Sequence, residues 1–210
     1  CIRDRVILVD RGIATDDKSL YTTFIGSDFV LEGKKAAAWL AAKLNGIGNV
    51  VELQGTVGAD CANQRREGFA EVMDVFPGIQ VIKSQSGDFT RSKGKEVMEA
   101  FLKTDGDKIN AVYAHNDDMA IGAIQAIEEY GLKPGEDIII VSIDGVKGAF
   151  EAMIQGKLNL TVECNPLLGP QVVQAAKDLL AGKDLPKWIK SDENIYPQEV
   201  ALEVYPTRKY

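Results

Sequence analysis

At 210 residues, 45% hydrophobic and 26% charged, with a formal net charge of −7, the chain has the proportions of one large or two small globular domains. The negative balance and the lack of any basic run argue against a nucleic-acid partner, and no apolar stretch is long enough to cross a membrane. One histidine, His115, and three cysteines, Cys1, Cys61 and Cys164, without CxxC or zinc spacing, give little material for a multi-histidine metal site, a Ser-His-Asp triad or a disulfide framework. No metal and no cofactor are expected.

The sequence opens without Met, leader or capped first element. It reads as a fragment that starts inside a domain, and so is silent on compartment. Val6 to Val9 is a short strand ending at the polar Asp10-Arg11-Gly12. Tyr21 to Ile25 is a second extended run. Ser27 or Asp28 then caps a helix whose apolar positions include Phe29, Ala36, Ala37, Leu40 and Leu44, with Gly46 as its stop. Strand Val50 to Leu53 leads through Gly55, Gly58 and Asp60 into a helix reaching about Phe76. GTVGAD (55–60) lacks the Lys-Ser/Thr of a phosphate loop and is read as a tight strand-to-helix turn.

Pro77-Gly78 turns the chain into strand Ile79 to Ile82. A helix from about Thr90 to Lys103 follows. Ala111 to Ala114 is an apolar strand, and helical spacing resumes at Met119, Ala120, Ala123, Ile124 and Ile127. Between them lie His115, Asn116, Asp117 and Asp118. Asp117 and Asp118 read as helix caps. Asn116, at the strand tip, reads as a ligand contact, because an amide both gives and accepts hydrogen bonds. Strand Ile138 to Ile143 ends in Asp144-Gly145, a helix covers about Lys147 to Gln155, and strand Leu158 to Val162 ends at Glu163-Cys164. A helix over about Gly169 to Ala181 precedes a less regular tail.

Alternating strands and helices with short connections predict an α/β fold with a parallel sheet. Right-handed crossovers then bring every strand's C-terminal end to one edge, where ligands bind in open sheets. That edge collects Asp10, Arg11, Gln54, Asp88, Phe89, Asn116, Asp144, Glu163 and Cys164. Such a mixture suits a sugar, whose hydroxyls donate and accept and whose C–H face can lie on Phe89. A cap or a surface polar group is the competing reading for each residue, and for Asp88 it is the favoured one.

Helical geometry adds Arg65. Phe69, Val72, Met73 and Phe76 form an apolar stripe, and Arg65 falls within it one turn before Phe69, whereas Arg66 lies on the flank. A buried arginine there needs an anion or hydroxyl partner. Snorkelling to solvent is the alternative.

At VILVDRG, IGSDFVLEGKKAA, VELQGTVGA, RREGF, SGDFTRSKGKEVMEAFL, AHNDDMAIGAIQAI and IIIVSIDG the chain resembles the type 1 periplasmic sugar-binding proteins of ABC importers. The galactofuranose-binding branch is nearest and the ribose-binding one next. The resemblance implies a two-lobed fold, parallel sheets flanked by helices, with three crossings near 26–28, 163–165 and 187–190 and a sugar in the cleft. The lobes would be 28–163 plus 190–210, intact, and 1–27 plus 164–189, truncated. At about 30 residues per βαβ unit, roughly 100 residues of the first lobe are expected to be missing.

The resemblance implies sugar contacts at Asp10, Arg11, Arg65, Phe89, Asn116 and Asp144. Cys164 joins them by position; ribose-binding relatives carry a glutamine there, which tells against ribose. The implied function is capture of a monosaccharide, galactofuranose or a similar furanose or pyranose, for delivery to a membrane permease. The protein would be a non-catalytic, periplasmic monomer without membrane insertion. The alternatives are the sugar-effector domain of a LacI-type repressor and an α/β enzyme using Asp10 and Asp144 as an acid/base pair.

Overall fold

The computed structural model describes residues 5–13 and 15–210. Cys1 lies outside them. The chain forms two compact units, 5–28 with 164–193 and 29–163 with 194–210, leaving out residue 14 of the first.

The smaller unit holds a three-stranded parallel sheet of β1 (Ile7–Val9), β2 (Thr23–Gly26) and β8 (Trp188–Lys190), with β2 in the middle. Its helix is α6 (Gly169–Leu180). The stretch expected to be irregular thus contributes a strand, because Trp188 to Lys190 pair with Phe24 to Gly26. Trp188 also packs on Phe24, with ring centroids 6.0 Å apart.

The larger unit is built on six strands. In chain order these are β3 (Gly48–Gln54), β4 (Ile79–Ser86), β5 (Ala111–Ala114), β6 (Ile139–Asp144), β7 (Leu160–Glu163) and β9 (Ile195–Pro197). The spatial order is β4-β3-β5-β6-β7-β9, parallel except for β9, which runs antiparallel on the edge. The five parallel strands are those predicted; β4 runs four residues further than expected, through Lys83–Ser86. The helices are α1 (Phe29–Lys43), α2 (Asp60–Met73), α3 (Arg91–Asp105), α4 (Asp117–Tyr130), α5 (Lys147–Ile154) and the short α7 (Ala201–Val204).

Alternation along the strands divides the core. Val51, Leu53, Val112, Ala114 and Ile140 join Met98, Phe101, Met119, Ile127 and Phe150 of α3, α4 and α5 in one apolar cluster. The intervening residues face α1 and α2, as period-two pleating requires. Tyr113 shows it: its ring stacks on Phe69 of α2 at 4.0 Å. At about 25 cal/mol per Å² of apolar area, fully buried side chains such as Phe150 and Tyr113 supply the main stabilisation. Gly131, at φ 94°, closes α4 in the left-handed conformation that its missing Cβ permits.

Strand order reverses between β3 and β5. The chain winds outward from β3 to β4, then returns across β3 to β5 and continues to β6 and β7. A parallel sheet opens a crevice at the C-terminal side of such a reversal. Here that side carries Gln54, Gly55, His115 and Asn116, with Asp144 on the same edge one strand further on.

Candidate functional site

Arg65 lies in the first half of α2, and only 3% of it is exposed. Its guanidinium makes three directed contacts. Nε donates to Glu32 Oε2 at 2.7 Å, Nη1 to the His115 carbonyl at 2.6 Å, and Nη2 to Asp144 Oδ1 at 3.4 Å. The Phe29 ring lies 5.4 Å from its charge centre. Arg66 is exposed. The helical stripe therefore distinguishes the two arginines correctly, and the anion that Arg65 requires comes from the protein itself.

Glu32 was not singled out in the sequence, although the same test finds it. On α1 it follows Phe29 by three positions and precedes Ala36 by four, inside a buried stripe, and it is 1% exposed. A buried carboxylate and a buried guanidinium on adjacent helices satisfy one another.

Behind Arg65 lies a second polar pair. His115 Nε2 meets Glu52 Oε1 at 2.9 Å, and His115 Nδ1 accepts from the Gly55 N–H at 3.3 Å. This assigns the proton to Nε2 and leaves the ring neutral. Burial pulls the His115 pKa down, and Glu52 only partly opposes it. Burial works to raise the Glu52 carboxyl, but donors from His115, Ser84 and Gln54 outweigh it and hold its pKa low. Gly55 in turn lies flat against the Phe89 ring; any side chain there would collide with it.

Phe89 and Asp88 form the turn between β4 and α3, at φ 56° and 52°. Asp88 does not cap α3, as the sequence suggested. Thr90 does, accepting from the Lys93 N–H at 3.3 Å, while Asp88 takes the Thr56 hydroxyl at 2.6 Å. Asn116 holds this turn from the next strand. Its Nδ2 donates to the Phe89 carbonyl at 3.2 Å, and its Oδ1 accepts from the Met119 N–H at 3.0 Å. Asn116 is thus the N-cap of α4.

That overturns the capping role read for Asp117 and Asp118. Asp118 pairs with Arg91 on the surface at 2.7 Å. Asp117 is fully buried and turned toward β6 and β7. It accepts from the hydroxyls of Ser142 and Thr161 (2.8 Å for the latter) and from the N–H groups of Gly145 (2.7 Å) and Val146 (2.9 Å). Burial pushes its carboxyl up, to about 6, against these four donors. The cap rule failed because Asp117's partners lie 25 to 44 positions away along the chain.

The Asp144-Gly145 turn that Asp117 holds is itself unusual. Asp144 sits at φ 129° and Gly145 at 77°. The Asp144 side chain is 29% exposed and reaches the Arg65 guanidinium. Burial pushes its carboxyl up from the ordinary range; Arg65 opposes this, and the charges of Asp117 and Glu32 add to it.

In the smaller unit, Asp10 ends β1 at φ 67°. It and Arg11 are exposed side chains 3.8 Å apart. Cys164 is half-buried, with Sγ 3.4 Å from the Ser27 hydroxyl.

Backbone strain marks these positions independently. Among the described residues, five other than glycine have positive φ: Asp10, Asn45, Asp88, Phe89 and Asp144. Asn45 serves the turn after α1. The other four follow or end parallel strands on the C-terminal side, and three are candidates named from the sequence. Such conformations cost about 1–3 kcal/mol each and persist where surrounding structure imposes them, commonly at ligand sites.

A parallel sheet with polar strand ends at its point of reversal, and strained turns after the strands nearby, has the architecture of a ligand-binding α/β protein. Residues 5–184 match the periplasmic binding protein domain, and the chain belongs to that family. It is 50% identical over 208 residues to the galactofuranose-binding protein YtfQ of Escherichia coli, covering 97% of this chain and 65% of that one. Identity to the ribose import binding protein RbsB of Bacillus subtilis is 38% over 195 residues, with 92% and 61% covered. The chain thus spans less than two thirds of the length of these relatives.

Among solved structures, a galactofuranose binding protein superposes with a TM-score of 0.93 at 49% identity, over 98% of this chain and 71% of that one. The binding protein of the arabinose ABC transporter from Shewanella, bound to α- and β-L-arabinofuranose, gives 0.94 at 48% identity, over 98% and 68%. The type 1 periplasmic binding protein fold expected from the sequence is therefore the fold of this chain.

Proposed function

We propose that the protein captures a monosaccharide, galactofuranose or a similar furanose or pyranose, and delivers it unchanged to the permease of an ABC-type importer. The coincidence of backbone strain with the candidate positions Asp10, Phe89 and Asp144, at or just past the ends of parallel strands, carries this reading. Its likeness to the galactofuranose- and arabinofuranose-binding relatives supports the choice of a furanose.

In this reading Arg65 offers a charged donor, whose bonds to sugar hydroxyls are worth about 1.5–3 kcal/mol each, and the Asp144 carboxyl offers an acceptor. Asn116 adds its amide, and the Phe89 ring takes the apolar C–H face. Asp10, Arg11 and Cys164 are proposed as further contacts, on the family resemblance. The protein works as a monomer in the periplasm. Among the described residues no helix is long and apolar enough to cross a membrane. Binding closes the protein about a hinge, which the permease senses.

Incubation of the full-length protein with labelled sugars tests capture against conversion. Co-elution of protein and sugar, with the sugar recovered unchanged, is the expected result. Recovery of a converted sugar would overturn the proposal in favour of an enzyme.

A further inference from the structure

The C-terminal tail carries a buried arginine that the sugar-binding reading leaves unused. Arg208 is 8% exposed. Its Nε donates to the Gly145 carbonyl at 3.0 Å. Nη1 donates to Glu163 Oε1 at 2.6 Å and to the Tyr196 hydroxyl at 3.3 Å. Its charge centre lies 4.5 Å from the Tyr210 ring and 5.2 Å from each of Phe150 and Tyr196. Glu163 is braced in turn. It takes the Tyr210 hydroxyl at 2.9 Å, the Tyr196 hydroxyl at 3.0 Å and the Asn194 N–H at 3.2 Å.

These contacts converge on one turn. Gly145 gives its N–H to Asp117 at 2.7 Å and its carbonyl to Arg208, so the peptide groups on either side of its Cα are both held. The Lys147 N–H donates to the Tyr210 carbonyl at 2.8 Å, so Tyr210 pins the start of α5. Arg208 Nη2 is buried with no hydrogen-bond partner among the described residues, 3.0 Å from where a Cβ on residue 145 would stand. A Cβ on residue 145 would crowd the guanidinium, and φ 77° independently favours glycine there.

We infer that Arg208 is a positioning residue: it holds the Asp144-Gly145 turn in its strained conformation and so aims the Asp144 carboxylate at the sugar. This rests on the reading of Asp144 as a sugar contact. An aspartate at φ 129° relaxes toward ordinary backbone unless something opposes it. Asp117 and Arg208 oppose it from the two sides. The effect of Arg208 on Asp144 passes through the backbone of Gly145.

The test combines two readouts on the full-length protein, with Arg208→Met, Asp144→Asn and the double variant. Titration with L-arabinose and D-galactose measures affinity. Arg208→Met weakens binding about tenfold when Asp144 is present and less than about twofold when residue 144 is already asparagine, because coupled residues do not add. Equal losses in both backgrounds would make Arg208 a general structural prop and overturn the inference.

Hydrogen exchange is read in parallel and needs no sugar. The amides of Gly145, Val146 and Lys147 exchange faster in Arg208→Met, while those of α4 are unchanged; unchanged exchange at 145–147 would also overturn the inference. Should Arg208→Met fail to fold, Arg208→Lys retains a charge for Glu163 but lacks the Nε donor, and the same two criteria apply to it. A wild-type protein that binds neither sugar would refute the choice of ligand, and the exchange readout would still decide whether Arg208 holds the turn.

Discussion

Asp117 shows how far one buried carboxylate can organise its surroundings. It joins α4 to two strands and to the turn that carries Asp144. Asp117→Ala strips a charged acceptor from four donors and lowers unfolding stability by about 3 kcal/mol or more, measurable by denaturant titration. Arg65 makes the complementary case. Arg65→Ala removes the guanidinium that pairs Glu32 and Asp144, costs about 3 kcal/mol of stability, and abolishes sugar binding. Arg66→Ala, on the exposed flank of the same helix, leaves both within error. Calorimetry and unfolding curves that treat the two alike would sink the assignment. Arg65 was legible because a charge inside a helical apolar stripe is a local pattern. Glu32 carries that same signal. Arg208 carries none, since its partners Gly145 and Glu163 lie 63 and 45 positions away.

At the scale of elements, β3 and β5 are locked at the strand reversal by Glu52 and His115. Because the folded state keeps His115 neutral, its pKa there lies below the ordinary 6.5. The unfolded chain then binds the proton first as pH falls, so stability is lost as pH drops below about 6.5. Glu52, also depressed, adds its own loss below the ordinary 4.5. Asp117 and Asp144, both raised, act in the opposite sense and lose stability as pH rises above the ordinary 3.8. The single histidine allows separation: subtracting the pH profile of His115→Gln from that of the wild type leaves a term that falls below pH 6.5. A flat difference between pH 5 and 7.5 would show the buried neutral histidine to be wrong. The strands and helices themselves were readable from periodicity and from Gly and Pro stops. Strands β8 and β9 were not. Each is three residues long, and β8 forms by pairing with a strand more than 160 residues earlier.

For the molecule as a whole, the two units differ in how their strands are covered. In the larger unit, β3, β5 and β6 are flanked by strands on both sides and their core residues are buried. In the smaller one, among the described residues, β1 pairs with β2 alone and Val9 is 40% exposed. Hydrogen exchange is therefore slow at 50–53, 111–114 and 139–143 and much faster at 7–9. Uniform protection across both sheets would contradict this. The parallel sheet and its polar edge followed from the order of strands and helices, and the strain at Asp10, Phe89 and Asp144 appeared only with the backbone in three dimensions. This edge is the one proposed to receive the sugar. A crystal structure of the full-length protein grown with L-arabinose or D-galactose tests it most directly. The expected result is a sugar within hydrogen-bond reach of Arg65, Asn116 and Asp144, its apolar face on Phe89. A sugar bound elsewhere, with none of these four residues in contact, would contradict it.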